Sequence, residues 1–441
     1  MATVADEYYE LAVATDCDPV CAAQSIVRRT GASDHVLYER AGIWTLAAGA
    51  AGEVCVEPGF VTARWRADMW REPFTDAPLA AVTRSMERLP LARWRAFGWV
   101  SFELAHLWSG IPPRGAGSLM HLMVPETEVT FAPGHVTIRS TSGELARDVA
   151  EQVGSRGPAL IGEPRPVDVE SDPGRAYQEA VAGAVRAIRA GRMQKVILSR
   201  HVGVPFPVDL WSTFRLARRN NTPARSFLVR LGGRAAAGVS PETVVEVAPD
   251  SRVFAQPLAG TRALDGSDEV DARLGLELTM DPKEVHEHAI SVKSVCDDLH
   301  AVCTPESVHI AEFMSLKHRG SVQHLGSTVG GRLAPGRTAF DALQATFPAV
   351  TGSGLPRRAA YEYIAAHEDE PRDLYAGAVV TLASDGELDA ALVLRTVFQA
   401  NGTTWLRAGA GIVAGSRPER EFQETCEKLR SLSRFIVPAR D

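Results

Sequence analysis

Lys195-Val-Ile-Leu-Ser-Arg-His-Val-Gly-Val204 is an apolar run of strand length, rich in β-branched residues, and its neighbours decide the fold class. Before it, Tyr177, Val181, Ala184, Val185 and Ile188 fall on one helical stripe, with Asp172-Pro173 as expected cap and first-turn proline and Gly191 as the end. After it, residues 210–220 predict a second helix. Ser226-Phe-Leu-Val-Arg-Leu231 then turns at Gly232-Gly233 into strands around Thr243-Val-Val-Glu-Val247 and Arg252-Val-Phe-Ala255. Helices and hairpins are mixed rather than strictly alternating, which points to an α+β arrangement and not to a doubly wound parallel sheet.

Upstream, Val36-Leu-Tyr-Glu, Ile43-Trp-Thr-Leu-Ala-Ala, Gly98-Trp-Val-Ser-Phe-Glu, Glu128-Val-Thr-Phe and His135-Val-Thr-Ile-Arg predict short antiparallel strands between turn signals. Residues 154–166, rich in Gly and Pro, predict a surface connector. This divides the chain into an N-terminal β-rich subdomain, 1–165, and a second region, 166–441, expected to be one structural unit. Downstream, a helix is expected from Pro282 to about Val302, with Val285, Ala289, Val292 and Val295 or Cys296 on its buried stripe and Glu284 and Glu287 at the edge. Residues 321–327, 376–382 and 388–397 predict strands, as does Trp405-Leu-Arg-Ala. A last helix is expected from Ser416, where Ser416-Arg-Pro-Glu419 fits a capping box.

With 45% hydrophobic and 23% charged residues in 441, the chain has ample material for a core. Its net charge of −7 argues against nucleic acid or an anionic membrane surface as partners, since both favour clustered Lys and Arg. The first ten residues lack the basic start and apolar core of a signal peptide, and no apolar run is long enough to span a bilayer, so a cytoplasmic protein is expected. Six cysteines without a Cys-x-x-Cys spacing indicate neither a zinc site nor a disulfide framework.

Two stretches carry paired carboxylates. Asp281-Pro-Lys-Glu-Val-His-Glu-His288 and Glu421-Phe-Gln-Glu424 each place two glutamates three residues apart, on one face of a helix. Such pairs suit a solvated face equally well. If the four meet, their oxygens suit a hard cation such as Mg²⁺ that shares its shell with an anionic substrate. Gly409-Ala410-Gly411, read as a loop between strand and helix, and Thr351-Gly-Ser-Gly offer backbone N–H groups to anionic oxygens, or are tight turns only. Lys195 is either a snorkelling edge residue or, in a dry pocket, a general base. Glu242 after Ser240-Pro241 is an exposed turn residue or an acid facing that base. A guanidinium at Arg395, inside Leu392-Val-Leu-Arg-Thr-Val, calls for an anion, either substrate or internal salt bridge. His324 and Tyr375 read equally as core residues or as pocket residues.

Taken in order, Lys195-Val-Ile-Leu-Ser-Arg, Ser240-Pro-Glu, Pro257-Leu-Ala-Gly-Thr-Arg, Asp281-Pro-Lys-Glu-x-x-Glu-His, Val322-Gln-His-Leu-Gly-Ser, Phe347-Pro-Ala-Val-Thr-Gly-Ser-Gly, Leu374-Tyr-Ala-Gly-Ala-Val, Gly409-Ala-Gly-Ile-Val and Glu421-x-x-Glu424-Thr resemble the chorismate-utilising enzymes. Leu37-Tyr-Glu, Trp44-Thr-Leu-Ala-Ala-Gly and Ala96-Phe-Gly-Trp-Val-Ser-Phe-Glu extend the likeness, within that family, to the salicylate synthases of siderophore biosynthesis. The resemblance implies large mixed, mainly antiparallel β-sheets packed with helices, as in anthranilate synthase component I. It implies that chorismate is converted through isochorismate to salicylate and pyruvate, with isochorismate synthase, anthranilate-type synthase and a non-catalytic relative as alternatives. Lys195 matches the general base, Glu242 the general acid, and His324 a histidine of the lyase half-reaction. Glu287 and Glu424 match direct Mg²⁺ ligands, and Glu284 and Glu421 carboxylates holding the ion through water. Tyr375, Arg395, Gly409, Gly411 and Lys428 match residues around the substrate's carboxylates, with Thr261 and Thr351 lining the pocket. A monomer is the family's usual state. Gln256 stands where glutamate is expected before Pro-Leu-Ala-Gly-Thr, which removes a carboxylate from the neighbourhood of the pocket.

Overall fold

Lys195–Gly203 forms the expected strand, and its partners show how the chain is wound around it. It pairs antiparallel with Thr403–Ile412 on one side and with the short Gly354–Leu355 on the other. The computed structural model describes residues 7–75, 77–115, 117–153, 162–171, 174–264, 266–320 and 322–439. Among them, 21 strands join one hydrogen-bonded network. The result is a large antiparallel sheet covered by helices, an α+β architecture.

Alternate residues of one strand feed different cores. Tyr38 packs in the larger apolar cluster and Leu37 in the smaller, as period-two side-chain alternation requires of a sheet buried on both faces. Strands from before and after residue 165 are interleaved. His35–Arg40 pairs with Arg225–Leu231, and Arg95–Val100 pairs with Ala378–Ala383. An ionic pin fixes the first of these joints, because the fully buried Asp389 receives the Tyr38 hydroxyl and the Arg225 guanidinium, the latter at 2.7 Å. A buried carboxylate needs such donors.

Three local expectations change, and others lie outside the described residues. The cap assigned to Asp172-Pro173 falls outside the described residues, as do residues 154–161 of the expected connector and Ser321. Residues 388–397 are not one strand: Leu388–Leu392 and Thr396–Ala400 are separated by a turn in which Arg395 takes φ 48°. The last helix is Pro418–Ser433 with no side-chain cap, since the Ser416 hydroxyl accepts from the Val413 N–H instead. Along Pro282–His300, Glu284, Glu287, His288 and Ser291 are buried with Val292 and Val295, while Val285 and Ala289 are only partly covered. That helix turns polar side chains inward because it faces a cavity, and hydropathy alone ranks such a face as outward.

Candidate active site

Lys195 opens its strand fully buried, so it is no snorkelling residue. Its Nζ donates to the Ser291 hydroxyl at 3.0 Å and lies 3.0 Å from Glu287 Oε1, both on the helix Pro282–His300. Glu242, equally buried, is held by the Thr351 hydroxyl, which donates to Oε1, and by the Leu258 N–H, which donates to Oε2 at 3.0 Å. Burial pushes its carboxyl up to about 7, and these hydrogen bonds with the charges of Lys195 and Lys428 offset that only in part. Both side chains line one cavity. A buried amine and a carboxyl that keeps its proton near neutrality are thereby presented to one bound molecule.

Three of the four paired carboxylates converge on Lys283, and the fourth, Glu424, pairs with Lys428. Asp281 caps its helix by accepting from the Lys283 and Glu284 N–H groups, which aims the first turn at the C-terminal helix. Lys283 Nζ lies 3.2 Å from Glu284 Oε1, 3.8 Å from Glu287 Oε2 and 3.2 Å from Glu421 Oε1. Lys428 Nζ lies 2.8 Å from Glu424 Oε1 and donates to the Gly409 carbonyl at 2.9 Å. Burial, joined by the neighbouring carboxylates, pushes Glu284 and Glu421 up. At Glu424 burial acts the same way, but Lys428 and Lys283 outweigh it and hold the carboxyl down.

Among the described residues no three acidic, histidine or cysteine side chains are arranged about a common point as a finished metal site would be. The donor set nevertheless fits a hard divalent cation: four buried carboxylates face two lysines, and the buried Glu421 Oε2 has no hydrogen-bond partner among the described residues.

Gly409 and Gly411 belong to the strand Thr403–Ile412, opposite Ser199 and Ile197, and not to a loop. Their lack of a side chain is a matter of space. A Cβ at Gly411 would overlap Glu287 Oε1, and one at Gly409 would lie 2.6 Å from the Leu198 carbonyl and 2.9 Å from the Tyr375 hydroxyl.

Arg395 donates from Nη2 to His324 Nε2 at 2.6 Å and from Nη1 to the Arg319 carbonyl at 2.9 Å. His324 Nδ1 lies 3.1 Å from the Thr261 hydroxyl and 3.3 Å from the Gly260 carbonyl, so the acceptor at Nε2 places the ring proton on Nδ1. Burial, with Arg395 and Lys428 nearby, drives His324 far below the usual imidazole range, and the ring is neutral. Burial, with Arg319 adding to it, lowers Arg395 to about 10. With a neutral partner and no ion pair among the described residues, this guanidinium leaves its charge for an incoming anion.

Lys195, Glu242, Thr261, Glu287, His324, Thr351, Tyr375, Arg395, Gly409, Gly411, Glu424 and Lys428 therefore line a single cavity, with Glu284 and Glu421 behind it. Gln256, half-buried between two strands, is not among the lining residues, so its substitution removes no carboxylate from the wall. Sequence reasoning missed Ser291, Lys283 and Arg407, the last of which also lines the cavity. Lys283 and Arg407 carried a usable signal, a cation among paired glutamates and one inside an apolar strand; Ser291 carried none.

A family model described as chorismate binding enzyme matches residues 36–434. The salicylate synthase of Mycolicibacterium paratuberculosis is 42% identical over 414 residues, covering 93% of this chain and 92% of that protein. Anthranilate synthase component 1 of Streptomyces coelicolor is also 42% identical, but over 259 residues, 58% of this chain and 50% of that protein. Among solved structures, anthranilate synthase component I from Streptococcus pneumoniae superposes with a TM-score of 0.76 at 27% identity, over 89% of this chain and 92% of that one. The menaquinone-specific isochorismate synthase from Escherichia coli gives 0.74 at 23% identity, over 98% and 95%, a likeness of fold.

Proposed function

The chain belongs to the chorismate binding enzymes, and from that premise we propose that it is a salicylate synthase, converting chorismate through isochorismate to salicylate and pyruvate. The observation that carries this reading is the burial of Lys195 and of a proton-retaining Glu242 on the wall of one cavity. The near full-length likeness to a salicylate synthase supports it over the anthranilate-type reading, whose relative matches a shorter span.

In the first step Lys195 takes a proton from a water that attacks C2 of the substrate. The ring double bonds shift, the C4–O bond breaks, and Glu242 gives its proton to the departing hydroxyl. In the second step the hydrogen on C2 passes to the methylene of the enolpyruvyl group as the C3–O bond breaks, and the ring becomes aromatic. This pericyclic transfer needs a conformer held near reaction geometry and no further base. Arg395, hydrogen-bonded to neutral His324, and Tyr375 hold carboxylate oxygens of the substrate, with Thr261 lining the pocket beside them and Thr351 holding the Glu242 carboxyl.

Glu287 and Glu424, with Glu284 and Glu421 through water, would hold Mg²⁺, which when bound supplies positive charge at the ring carboxylate. We further propose that the salicylate serves a siderophore or another aryl-capped product, and that the protein works as a cytoplasmic monomer. No helix among the described residues is long and apolar enough to cross a membrane.

Incubation with chorismate and Mg²⁺ tests the reading: fluorescent salicylate and equimolar pyruvate are expected. Isochorismate without pyruvate would make the protein an isochorismate synthase, and ammonium-dependent anthranilate would place it in the third branch.

A further inference from the structure

Arg372 touches none of the reacting groups, yet its guanidinium joins the segments that carry them. It is 3% exposed. Nη1 donates to the Gly352 carbonyl at 2.6 Å, and Nη2 to the Ile197 carbonyl at 2.7 Å. Gly352 follows Thr351, whose hydroxyl holds the Glu242 carboxyl. Ile197 lies two residues beyond Lys195 on the same strand, and its own N–H donates to the Ser353 carbonyl at 2.8 Å. One planar group thus spans the strand of the base and the loop that orients the acid.

The fork itself is fixed from behind. Glu368 accepts from Arg372 at 2.9 and 2.6 Å, from Arg407 at 2.6 Å, and from the Ser199 N–H and hydroxyl at 2.8 and 2.9 Å. The backbone N–H groups of Arg372 and Asp373 donate to the two Glu103 oxygens at 2.7 and 3.0 Å. A buried ion pair kept for stability alone is often replaceable by apolar groups. Here two donors are spent on carbonyls of those two segments, a demand that a fork geometry meets and a single ammonium cannot.

We propose that Arg372 is a positioning residue for the hydration step, setting the separation of Lys195 and Glu242 across the cavity, with Glu368 and Arg407 holding it in place. The proposal rests on the salicylate synthase reading. Acid and base are needed only while water adds and the C4 hydroxyl leaves; the pericyclic step uses neither. Loss of the clip therefore slows the two half-reactions unequally.

The test compares wild type, Arg372→Gln and Arg372→Lys on chorismate and, separately, on isochorismate. A misplacement near 1 Å costs on the order of 10²-fold, so Arg372→Gln is expected to lose about that much in kcat on chorismate. Its KM is expected to change little, and its turnover of isochorismate to stay within about threefold. Arg372→Lys, keeping the charge and part of the bonding, recovers a portion and guards against misfolding of the glutamine variant. With Thr351 released, Glu242 loses a hydrogen bond that favours its ionised form, so the alkaline limb of the chorismate pH profile moves upward in both variants. Equal losses on the two substrates, or an unmoved profile with only a lower Tm, would overturn the proposal. A wild type that stops at isochorismate would overturn the salicylate reading, while the chorismate arm still decides the role of the arginine.

Discussion

Glu242 can serve as an acid because burial keeps its proton on until about pH 7. The protonated form is the active one, so the rate of isochorismate formation is expected to hold below that value and to fall as pH rises through it, read from kcat against pH. Replacing it by glutamine, which fills the space but gives no proton, is expected to cost about 10²–10⁴-fold in kcat. Gly411 sets a different limit. A methyl there collides with Glu287 Oε1, so Gly411→Ala is expected to turn that carboxylate aside and to raise the Mg²⁺ concentration for half-maximal activity at least about tenfold, the size of a 1.4 kcal/mol loss in ion binding. Circular dichroism should leave its fold unchanged.

At the scale of elements, the helix Pro282–His300 stands or falls with its start. Asp281 accepts from the Lys283 N–H at 2.9 Å and the Glu284 N–H at 3.4 Å, and also receives Arg262 at 2.7 Å. Asp281→Ala is expected to lower the unfolding free energy by about 1 kcal/mol, seen as a lower denaturant midpoint at unchanged slope, with Asp281→Asn losing less. Much of this level is legible in the chain. The strand from Lys195, the helix stripe of Tyr177 to Ile188 and the helical setting of both glutamate pairs follow from periodicity and appear as expected.

The misreadings share a cause. Around the cavity, side chains are buried to face a substrate and not to exclude water, so Glu284, Glu287 and Ser291 occupy a stripe where a pattern rule looks for valine. In the same way, Gly409 and Gly411 look like a turn because glycine usually marks one, whereas here close approach across a continuous strand demands it. The positive φ at Arg395, which breaks the expected strand over 388–397, has no sequence signal at all.

The whole molecule is knitted by pairings distant in sequence. Arg225–Leu231 lies between His35–Arg40 and Arg234–Ser240, and Ala378–Ala383 between Arg95–Val100 and Leu388–Leu392. A fragment spanning 166–441 would carry both central strands with one bare edge each, the arrangement that invites aggregation. It is expected to be insoluble on expression, or to show no cooperative thermal transition, although it contains every residue assigned to catalysis.

The contact of Lys195 with Glu287, and of the latter's helix with Glu421 through Lys283, also carries a consequence in time. Glu421 is made 226 residues after Lys195, which at roughly 5–20 residues per second is on the order of 10–50 s. For most of that interval the strand of Lys195 lacks Thr403–Ile412 along one edge, and Lys283 lacks Glu421 until its end. The nascent chain thus passes through a stage with an open apolar edge, which closes only once Thr403–Ile412 has been made.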